Sequence, residues 1–475
     1  MTPGYVNVAL HVLLSILDDT TFDFSLSDAW EKQMNQARPK HLPVDDAQRL
    51  LLHNEIHTRP SATFRLPALV VYVAVLNSKV STAQEFEHLK RLPQTQSLEF
   101  EKMKGNFLQL QCIGYKVIWE RHSEFTRYTI VQSLPAHAQW GSDLPQLSEH
   151  AATGSEWLKN IPGETITAIH LGILNQGMDD PDAFYMGKRW LGNGTLIGSK
   201  MGRTSDHKTH SQLMTHLKIG DDGFERILVL TSAETSENRA GRIAQRLLEL
   251  ETYRMMALLS LPVAKQLAIK LRETEVKLVE ITNRLEKQND SDEILMSDLA
   301  ALAAQVESIT AEHSYRFSAT LAYDAIVRER ISEMREQPLS GIQTVGEFMQ
   351  RRLAPAIATV KATSERLSAL AERVARASAL LRTRVEIAAE AHNRQLLEKL
   401  TRGQALQLRL QATVEGLSIA AITYYVVSLA LFVGKALKAY GLNINPELLA
   451  GFFTPLVLFI CWRTIQHIHL KLEDS

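Results

Sequence analysis

The sequence predicts an α+β fold with three parts: an N-terminal α/β domain built on a mixed or antiparallel sheet, a long helical and coiled-coil region, and a C-terminal hairpin of two transmembrane helices. Apolar and polar residues follow strand-like patterns up to about Leu230, helical periodicity replaces them from Thr235, and two charge-free runs close the chain. We therefore divide the chain into an N-terminal helical or irregular segment (1–45), an α/β domain (46–232), a long-helix region (233–415), a transmembrane hairpin (416–468) and a cytoplasmic tail (469–475).

The two charge-free runs predict attachment to a lipid bilayer. The first, residues 416–434, is long enough to span, because a helix rises about 1.5 Å per residue and the hydrocarbon core is about 30 Å thick. The second, residues 448–462, spans if its helix continues to about residue 468 with Arg463 reaching the headgroups. A buried hairpin in a soluble helical domain is the alternative, but such hairpins usually keep a polar stripe, and these runs show little of one.

Basic residues around the two runs predict their orientation. They are concentrated outside the connection, at Arg394, Lys399, Arg402, Arg409, Arg463 and Lys471. The connection itself carries only Lys435 and Lys438. Because basic residues accumulate on the cytoplasmic side of membrane spans, we expect a multi-pass protein with both termini in the cytoplasm. The N-terminal residues lack the basic region and cleavage site of a signal peptide, so the bulk of the chain is expected there too.

Composition excludes several classes of function. The 475 residues carry a formal net charge of −1, so there is no electrostatic case for nucleic acid as a partner. Only two cysteines occur, Cys112 and Cys461, which excludes a disulfide framework or a cysteine metal site and fits a reducing cytoplasm. We find no motif for a cofactor and expect none.

Strand patterns in the α/β domain occur in two similar series. The first series comprises strands at 69–77, 106–113, 115–121 and 125–132, with a helix at 85–92 and an antiparallel meander over the last three strands. Strands at 166–175 and 224–230 follow. Asn77 and Asn175 both end an apolar strand with a Leu-Asn pair, and Phe125 and Phe224 both open a Phe-x-Arg strand at nearly the same offset. Either an internal duplication or coincidence explains these two sequence similarities.

Four long helices are predicted after the sheet. The first is capped by Thr235 or Ser236 and runs to a break at Pro262, the second ends at the polar residues 288–292, and the third spans about 294–335. The fourth begins near Ile357 and could run without a break to Gly434, a length of about 115 Å that would carry it directly into the membrane.

A heptad pattern in the fourth helix predicts a coiled coil. Its first seam consists of Val360, Leu367, Val374, Leu381 and Ala388, its second seam of Leu370 and Ala377, and its looser continuation of Leu396, Leu400, Leu410 and Val414. Either the helices at 235–260 and 294–335 cover this seam, or copies of the same helix do. Small residues in the first membrane run allow close approach between neighbours, so we expect a homo-oligomer.

Catalytic motifs are missing from the sequence. His53 and His57 lie four residues apart on one helix face, a spacing that suits a metal ion, but Glu55 is displaced by one position from the zincin pattern. We predict structural histidines and no metal, with a site at His53 and His57 as the alternative. The glycines between 192 and 198 depart from the dinucleotide-binding spacing and indicate a loop. We therefore predict a protein that is not an enzyme.

Several long segments resemble one bacterial family of uncharacterised membrane-anchored proteins. These segments are LLHNEIHTRP (51–60), WERHSEFTRYT (119–129), NRAGRIAQRLLELETYRMMALLSLP (238–262) and LQATVEGLSIAAITYYVVSLA (410–430). The resemblance extends from about residue 50 to the end of the chain. It implies a protein of the bacterial inner membrane and implies no activity.

A shorter resemblance concerns the turn between the two membrane runs. Residues 440–443, Tyr-Gly-Leu-Asn, followed by Pro-Glu-Leu at 446–448, are similar to the loop of the CorA magnesium channels, although CorA has methionine where this chain has Leu442. That family also places an α/β domain before a long helix and two spans, and assembles as a pentamer. The resemblance implies Mg²⁺ as a partner and Gly441 and Asn443 as a selectivity ring. Ordinary turn chemistry equally explains a Gly and an Asn at a helix end.

Two hypotheses of different classes follow. The first is a membrane-anchored, non-enzymatic protein whose large cytosolic part binds a partner or holds an oligomer together at the inner membrane. The alternative is an oligomeric divalent-cation channel or transporter of CorA-like build.

Overall fold

The computed structural model describes residues 66–103, 105–176, 178, 180–202, 211–287, 290–439 and 445–473, together with the single positions 46, 48, 49, 63 and 65. Two compact units make up the chain. Unit 1 comprises Met1–Leu259 and Leu321–Pro355, and unit 2 comprises Ser260–Thr320 and Ala356–Ser475.

In the part of unit 1 that the structure describes, a nine-stranded mixed sheet forms the centre. Its strands are β1 (Ala68–Leu76), β2 (Phe107–Cys112), β3 (Tyr115–Arg121), β4 (Phe125–Ser133), β5 (Glu164–Leu174), β6 (Ile197–Met201), β7 (Ser211–Ile219), β8 (Glu225–Thr231) and β9 (Glu336–Pro338). They lie in the order β2-β3-β4-β1-β5-β8-β7-β6-β9. All neighbours pair antiparallel except β5 and β8, which pair parallel. The predicted mixed sheet and the β2-β3-β4 meander are therefore confirmed.

The two series of strands share an order but not a polarity. β1 to β4 lie in the order β2-β3-β4-β1, and β5 to β8 lie in the equivalent order β6-β7-β8-β5. However, β1 pairs antiparallel with β4, whereas β5 pairs parallel with β8. Relative to the last strand of its own series, β1 therefore runs antiparallel and β5 runs parallel. Because of this difference, the two halves of the sheet do not form a simple structural repeat.

Helices cover both faces of the sheet, which explains why its central strands are apolar without alternation. The helices are α1 (Thr82–Leu89), α2 (Ser155–Lys159), α3 (Ala183–Leu191) and α4 (Glu237–Leu258). On one face, Leu89, Trp157 and Trp190 from α1, α2 and α3 share a core with Val71 and Val73 of β1.

On the other face, α4 packs against β1. The hydroxyl groups of Tyr72 and Thr252 lie 2.6 Å apart and are buried. This packing explains why unit 1 extends past the boundary predicted at residue 232: α4 buries its apolar side on the sheet and belongs to the same core.

The described residues of unit 2 include a bundle of three long helices. They are α5 (Ser260–Lys287), α6 (Asp292–Met334) and α7 (Val345–Ala439), of which α6 and α7 extend into unit 1. The bundle core takes Leu267, Leu271 and Leu278 from α5, Leu295, Leu299 and Leu302 from α6, and Val360, Leu367, Val374 and Leu381 from α7. Across the helices, the guanidinium of Arg366 contacts the carboxylate of Glu275, with Nε 2.7 Å from Oε1.

The bundle corrects the expectation for the heptad seam. From Val360 to Leu381 the seam is buried by α5 and α6 of the same chain, so this part needs no second copy. The helix predicted at 235–260 takes no part in this bundle core, because it packs on the sheet as α4. Ala388, by contrast, is exposed. The covered seam therefore ends before the last predicted heptad position.

The long helix predicted from residue 357 to 434 is confirmed as part of α7, which has 95 residues. Beyond the bundle, residues 386–414 of α7 are exposed throughout. A further helix, α8 (Pro446–Glu473), follows. The first residues of α8 lie beside α7, since a Cβ built at Gly434 would be 3.3 Å from the Cβ of Pro446.

Candidate functional site

The residues singled out as site candidates from the sequence lie outside the described part of the chain. This applies to His53 and His57 and to Gly441 and Asn443. Within the described residues, no group of three or more His, Cys, Asp or Glu side chains is placed to hold a metal ion. The remaining candidates are the clefts and buried charges of unit 1.

A cleft of about 340 Å³ in unit 1 is the candidate site, and we call it the arginine cleft. It is lined by residues from α4, the end of α6 and the strand ends at β6 and β7. Its apolar lining includes Met201, Leu247 and Met334, all of them buried. Its polar lining consists of Ser211, Arg239, Arg246, Glu333 and Arg335. The cleft thus combines an apolar wall with three guanidinium groups.

The charges of the arginine cleft do not balance. Arg246 pairs with Glu333 at 3.2 Å, and Glu333 also contacts Arg330 at 2.7 Å. Arg239 and Arg335 form no ion pair with any residue that the structure describes. Among the described residues, the one carboxylate at the cleft is therefore shared by two arginines, and two further guanidinium groups have no countercharge.

Arg335 reaches the cleft from an unusual backbone conformation. It follows the last residue of α6, and its φ angle is +47°. Helices commonly end on a residue with positive φ, but the residue there is usually glycine, because a Cβ in this region costs roughly 1 kcal/mol. The chain keeps an arginine at this position, and its side chain lines the cleft.

A chain of ion pairs leads from the cleft into the interior of unit 1. Ordered inward, it comprises Arg246, Glu333, Arg330, Glu249, Arg127 and Glu120. Charges alternate along this ion-pair chain, with Arg330 Nε 2.8 Å from Glu249 Oε2 and Arg127 Nη1 3.5 Å from Glu249 Oε1. It connects α6, α4 and the sheet through side chains of opposite sign.

The inner end of the ion-pair chain is the most buried. Arg127 on β4 contacts both carboxylate oxygens of Glu120 on β3, and its Nη2 lies 2.7 Å from Oε1. Burial by itself would lower the pKa of Arg127, but the carboxylates of Glu120 and Glu249 raise it above its ordinary value. Arg127 therefore stays charged inside unit 1 because two carboxylates surround it.

A second buried cluster holds two carboxylates and one guanidinium. Arg254 Nη2 lies 3.1 Å from Glu225 Oε1 and 2.5 Å from Glu251 Oε2. Burial and the neighbouring Glu251 raise the pKa of Glu225 to about 8. The two other carboxylate oxygens, Glu225 Oε2 and Glu251 Oε1, have no hydrogen-bond partner. Two buried carboxylates that share one guanidinium therefore favour the protonated form of Glu225.

Histidine, serine and aspartate meet at one place, but not as a hydrolytic triad. The Ser148 hydroxyl donates to Asp222 Oδ2 at 2.8 Å, and His170 Nδ1 lies 3.6 Å from the same oxygen. A nucleophilic serine would instead donate to the imidazole. His170 stacks on Phe224, and burial lowers the pKa of His170 to about 4. This arrangement holds a neutral histidine and offers no activated nucleophile.

Within the part of the chain that the structure describes, three helices are long and apolar enough to cross a membrane: α6, α7 and the part of α8 spanning Pro446–Thr464. The apolar residues of α6 have another role, because Leu295, Leu299 and Leu302 belong to the bundle core. The apolar windows of α7 and α8 are only 6% buried. Their exposed side chains include Leu417, Val426, Leu429, Phe432 and Val433 on α7, and Leu448, Phe452, Leu456, Phe459 and Trp462 on α8.

Local sequence patterns contain little indication of the arginine cleft. Arg239 and Arg246 lie seven residues apart on α4, a spacing that places both on one helix face and could have been noticed. Arg335 comes from the end of α6, nearly a hundred residues later, and no local pattern relates it to α4. The meeting of these arginines depends on the tertiary structure.

Comparison with known proteins identifies a family. No curated protein and no solved structure matches the chain. A family described as proteins of unknown function, DUF3422, matches residues 44–472. Because this match covers nearly the whole chain, the protein belongs to the DUF3422 family of proteins of unknown function.

Proposed function

We propose that this protein is a membrane-anchored binding protein whose large non-enzymatic part stays in the cytoplasm. The observation that carries the proposal is the exposed apolar surface of the last part of α7 and of α8. Exposure of an apolar surface of this extent to water is unfavourable, whereas contact with the hydrocarbon core of a bilayer is not. The bacterial inner membrane, crossed by a hairpin with both termini in the cytoplasm, is the proposed location.

Binding rather than catalysis is proposed for unit 1. The residues that the structure describes hold buried ion pairs and neutral histidines, and Ser148 faces a carboxylate instead of a base. The arginine cleft offers fixed positive charge and an apolar wall, which suit recognition of a ligand. The cleft therefore supports a binding protein that needs no cofactor.

Self-association is proposed through the exposed middle of α7. Leu396 and Leu410 are two heptads apart, as are Leu400 and Val414, and all four side chains are exposed. An isolated helix gains most of its stability from packing an apolar face against a neighbour. Copies of this segment from other chains would supply that neighbour, so we propose a homo-oligomer.

The alternative function is a CorA-like divalent-cation channel. It is favoured by the continuity of α7, which runs from the end of unit 1 through the bundle into the apolar segment as one helix. Lys435 and Lys438 oppose it, because a ring of lysines at a pore mouth would repel Mg²⁺. A pentamer in detergent, measured by native mass spectrometry, would favour the channel, and any other stoichiometry would exclude it.

Membrane attachment is tested by deleting residues 417–475 and fractionating cells. We expect the full chain to resist extraction by alkaline carbonate and the shortened chain to move to the soluble fraction. A matched control that removes only residues 469–475 should remain in the membrane. If the shortened chain is soluble only in denaturant, circular dichroism of the refolded protein separates misfolding from attachment. A folded shortened chain that still pellets with carbonate-washed membranes would place the anchor elsewhere.

A further inference from the structure

We propose that the arginine cleft binds a small amphipathic oxyanion, a molecule with one phosphate or carboxylate group and a short apolar body. This deepens the binding function proposed for unit 1. Two features of the cleft carry the inference: guanidinium groups that have no countercharge among the described residues, and an apolar wall beside them.

The charge of the cleft selects an anion. Arg239 and Arg335 have no carboxylate partner among the described residues, whereas Glu333 is already neutralised by Arg246 and Arg330. A guanidinium forms planar, paired hydrogen bonds with phosphate and carboxylate oxygens. Arg239 lies in the first turn of α4, where the helix dipole adds a favourable field for an anion.

The wall of the cleft selects an apolar body. Its floor is formed by the buried Met201, Leu247 and Met334, and the half-buried Ile243 also lines it. Methionine side chains adapt to ligands of irregular shape because they are unbranched and polarisable. The volume of about 340 Å³ suits a small molecule and excludes a folded partner or a nucleic-acid strand.

The ion-pair chain positions one of the arginines of the cleft. Arg246 is the outermost member of this chain, which ends at the buried Glu120. Each member contacts neighbours of opposite charge, so Arg246 is held in place before a ligand arrives. Preorganisation of this kind reduces the entropy lost on binding.

Hexyl phosphate is the probe for this site, measured by calorimetry on the full chain in detergent. Inorganic phosphate should bind more weakly and hexanol should not bind, since each lacks one of the two recognised parts. Arg239→Ala and Arg335→Gly should each lower the affinity for hexyl phosphate about tenfold or more, because each removes a charged hydrogen bond. Arg242→Ala is the matched control: this arginine is exposed on α4 and does not line the cleft.

The outcomes separate this inference from the proposed anchor. Equal affinity of all three variants, or no binding of hexyl phosphate, would overturn the inference, while membrane attachment is measured independently by fractionation. Raising the salt concentration should weaken binding in the unchanged protein and less so in Arg239→Ala. Displacement of hexyl phosphate by dihexanoyl phosphatidylglycerol would identify a lipid headgroup as the source of the anion, and failure of this competitor would identify a free small molecule.

Discussion

Gly172 on β5 lies directly against the indole ring of Trp190 on α3: a Cβ built at Gly172 would come within 2.9 Å of the ring. The Trp190 side chain is fully buried and donates from Nε1 to the Ala138 carbonyl at 2.9 Å. The ring cannot move away without losing this hydrogen bond. The absence of a side chain at Gly172 is therefore what lets α3 approach the sheet.

Gly172→Ala is expected to destabilise unit 1 by about 1–3 kcal/mol, the usual cost of overpacking a core. Denaturant unfolding followed by tryptophan fluorescence measures the change. Gly105→Ala is the control, because a Cβ at Gly105 meets no atom within 4 Å. A Gly172→Ala variant as stable as the Gly105→Ala variant would contradict the close approach of α3.

Glu225 predicts a specific pH dependence of stability. Its pKa is raised to about 8 in the folded state from the ordinary value of 4.5, so the folded protein holds a proton that the unfolded chain has released. Below pH 4.5 the protonated Glu225 contributes its whole stabilising effect. Between pH 4.5 and about 8 this contribution is lost, and the free energy of unfolding falls by up to about 1.4 kcal/mol per pH unit.

Glu225→Gln should remove this contribution to the pH dependence, because the amide resembles the protonated carboxyl group. The variant should then be more stable than the unchanged protein at pH 8. Unfolding free energies measured from pH 5 to pH 9 test this. Glu164→Gln, at the exposed start of β5, should leave the pH dependence as it is. A parallel pH profile for the Glu225→Gln variant and the unchanged protein would argue against a retained proton.

Substitutions at the inner and outer parts of the ion-pair chain should reduce the stability of unit 1 by different amounts. Arg127→Ala leaves the buried carboxylates of Glu120 and Glu249 without their guanidinium and should cost about 3–5 kcal/mol. Glu333→Gln, at the part-exposed outer end, should cost about 1 kcal/mol or less. Arg127→Lys keeps the charge but loses the two-point contact, so an intermediate cost is expected. Denaturant unfolding measures the loss of unfolding free energy for all three variants. Equal losses for Arg127→Ala and Glu333→Gln would contradict the deeper burial of the inner ion pairs.

Arg335→Gly should separate stability from ligand binding. Because Arg335 has a positive φ angle, glycine should stabilise unit 1 by about 0.5–1 kcal/mol. Arg335→Ala removes the same guanidinium but keeps the strained Cβ, so it should bring no such gain. Thermal unfolding of the two variants in parallel checks the difference. If alanine stabilises as much as glycine, the backbone conformation at residue 335 is different from the one described.

The two parts of the heptad pattern predict different phenotypes. Val374→Asp with Leu381→Asp places two charges in the core of the bundle and should unfold it. Leu396→Asp with Leu410→Asp changes only exposed positions, so the bundle should stay folded while the proposed oligomer dissociates. Circular dichroism and native mass spectrometry in detergent read the two effects separately. An oligomer that survives the second pair of changes would rule out association through this segment.

Local patterns in the sequence determined the elements of this protein. The strand at Tyr115–Arg121, the helix after Ser236 and the uninterrupted course of α7 were all predictable, because alternation, capping residues and heptads repeat over short distances along the chain. The charge-free runs at the end were equally clear, because a span depends on length and composition alone.

Tertiary structure decided which elements meet. Only the folded chain pairs β5 parallel with β8, buries the α7 seam against α5 rather than α4, and brings Arg335 and Arg239 to the same cleft. Burial of a strand or of an apolar helix face is favourable, but several elements of the same chain could provide the covering surface equally well. The choice among them depends on the packing of distant residues, and the arginine cleft exists only once that choice is made.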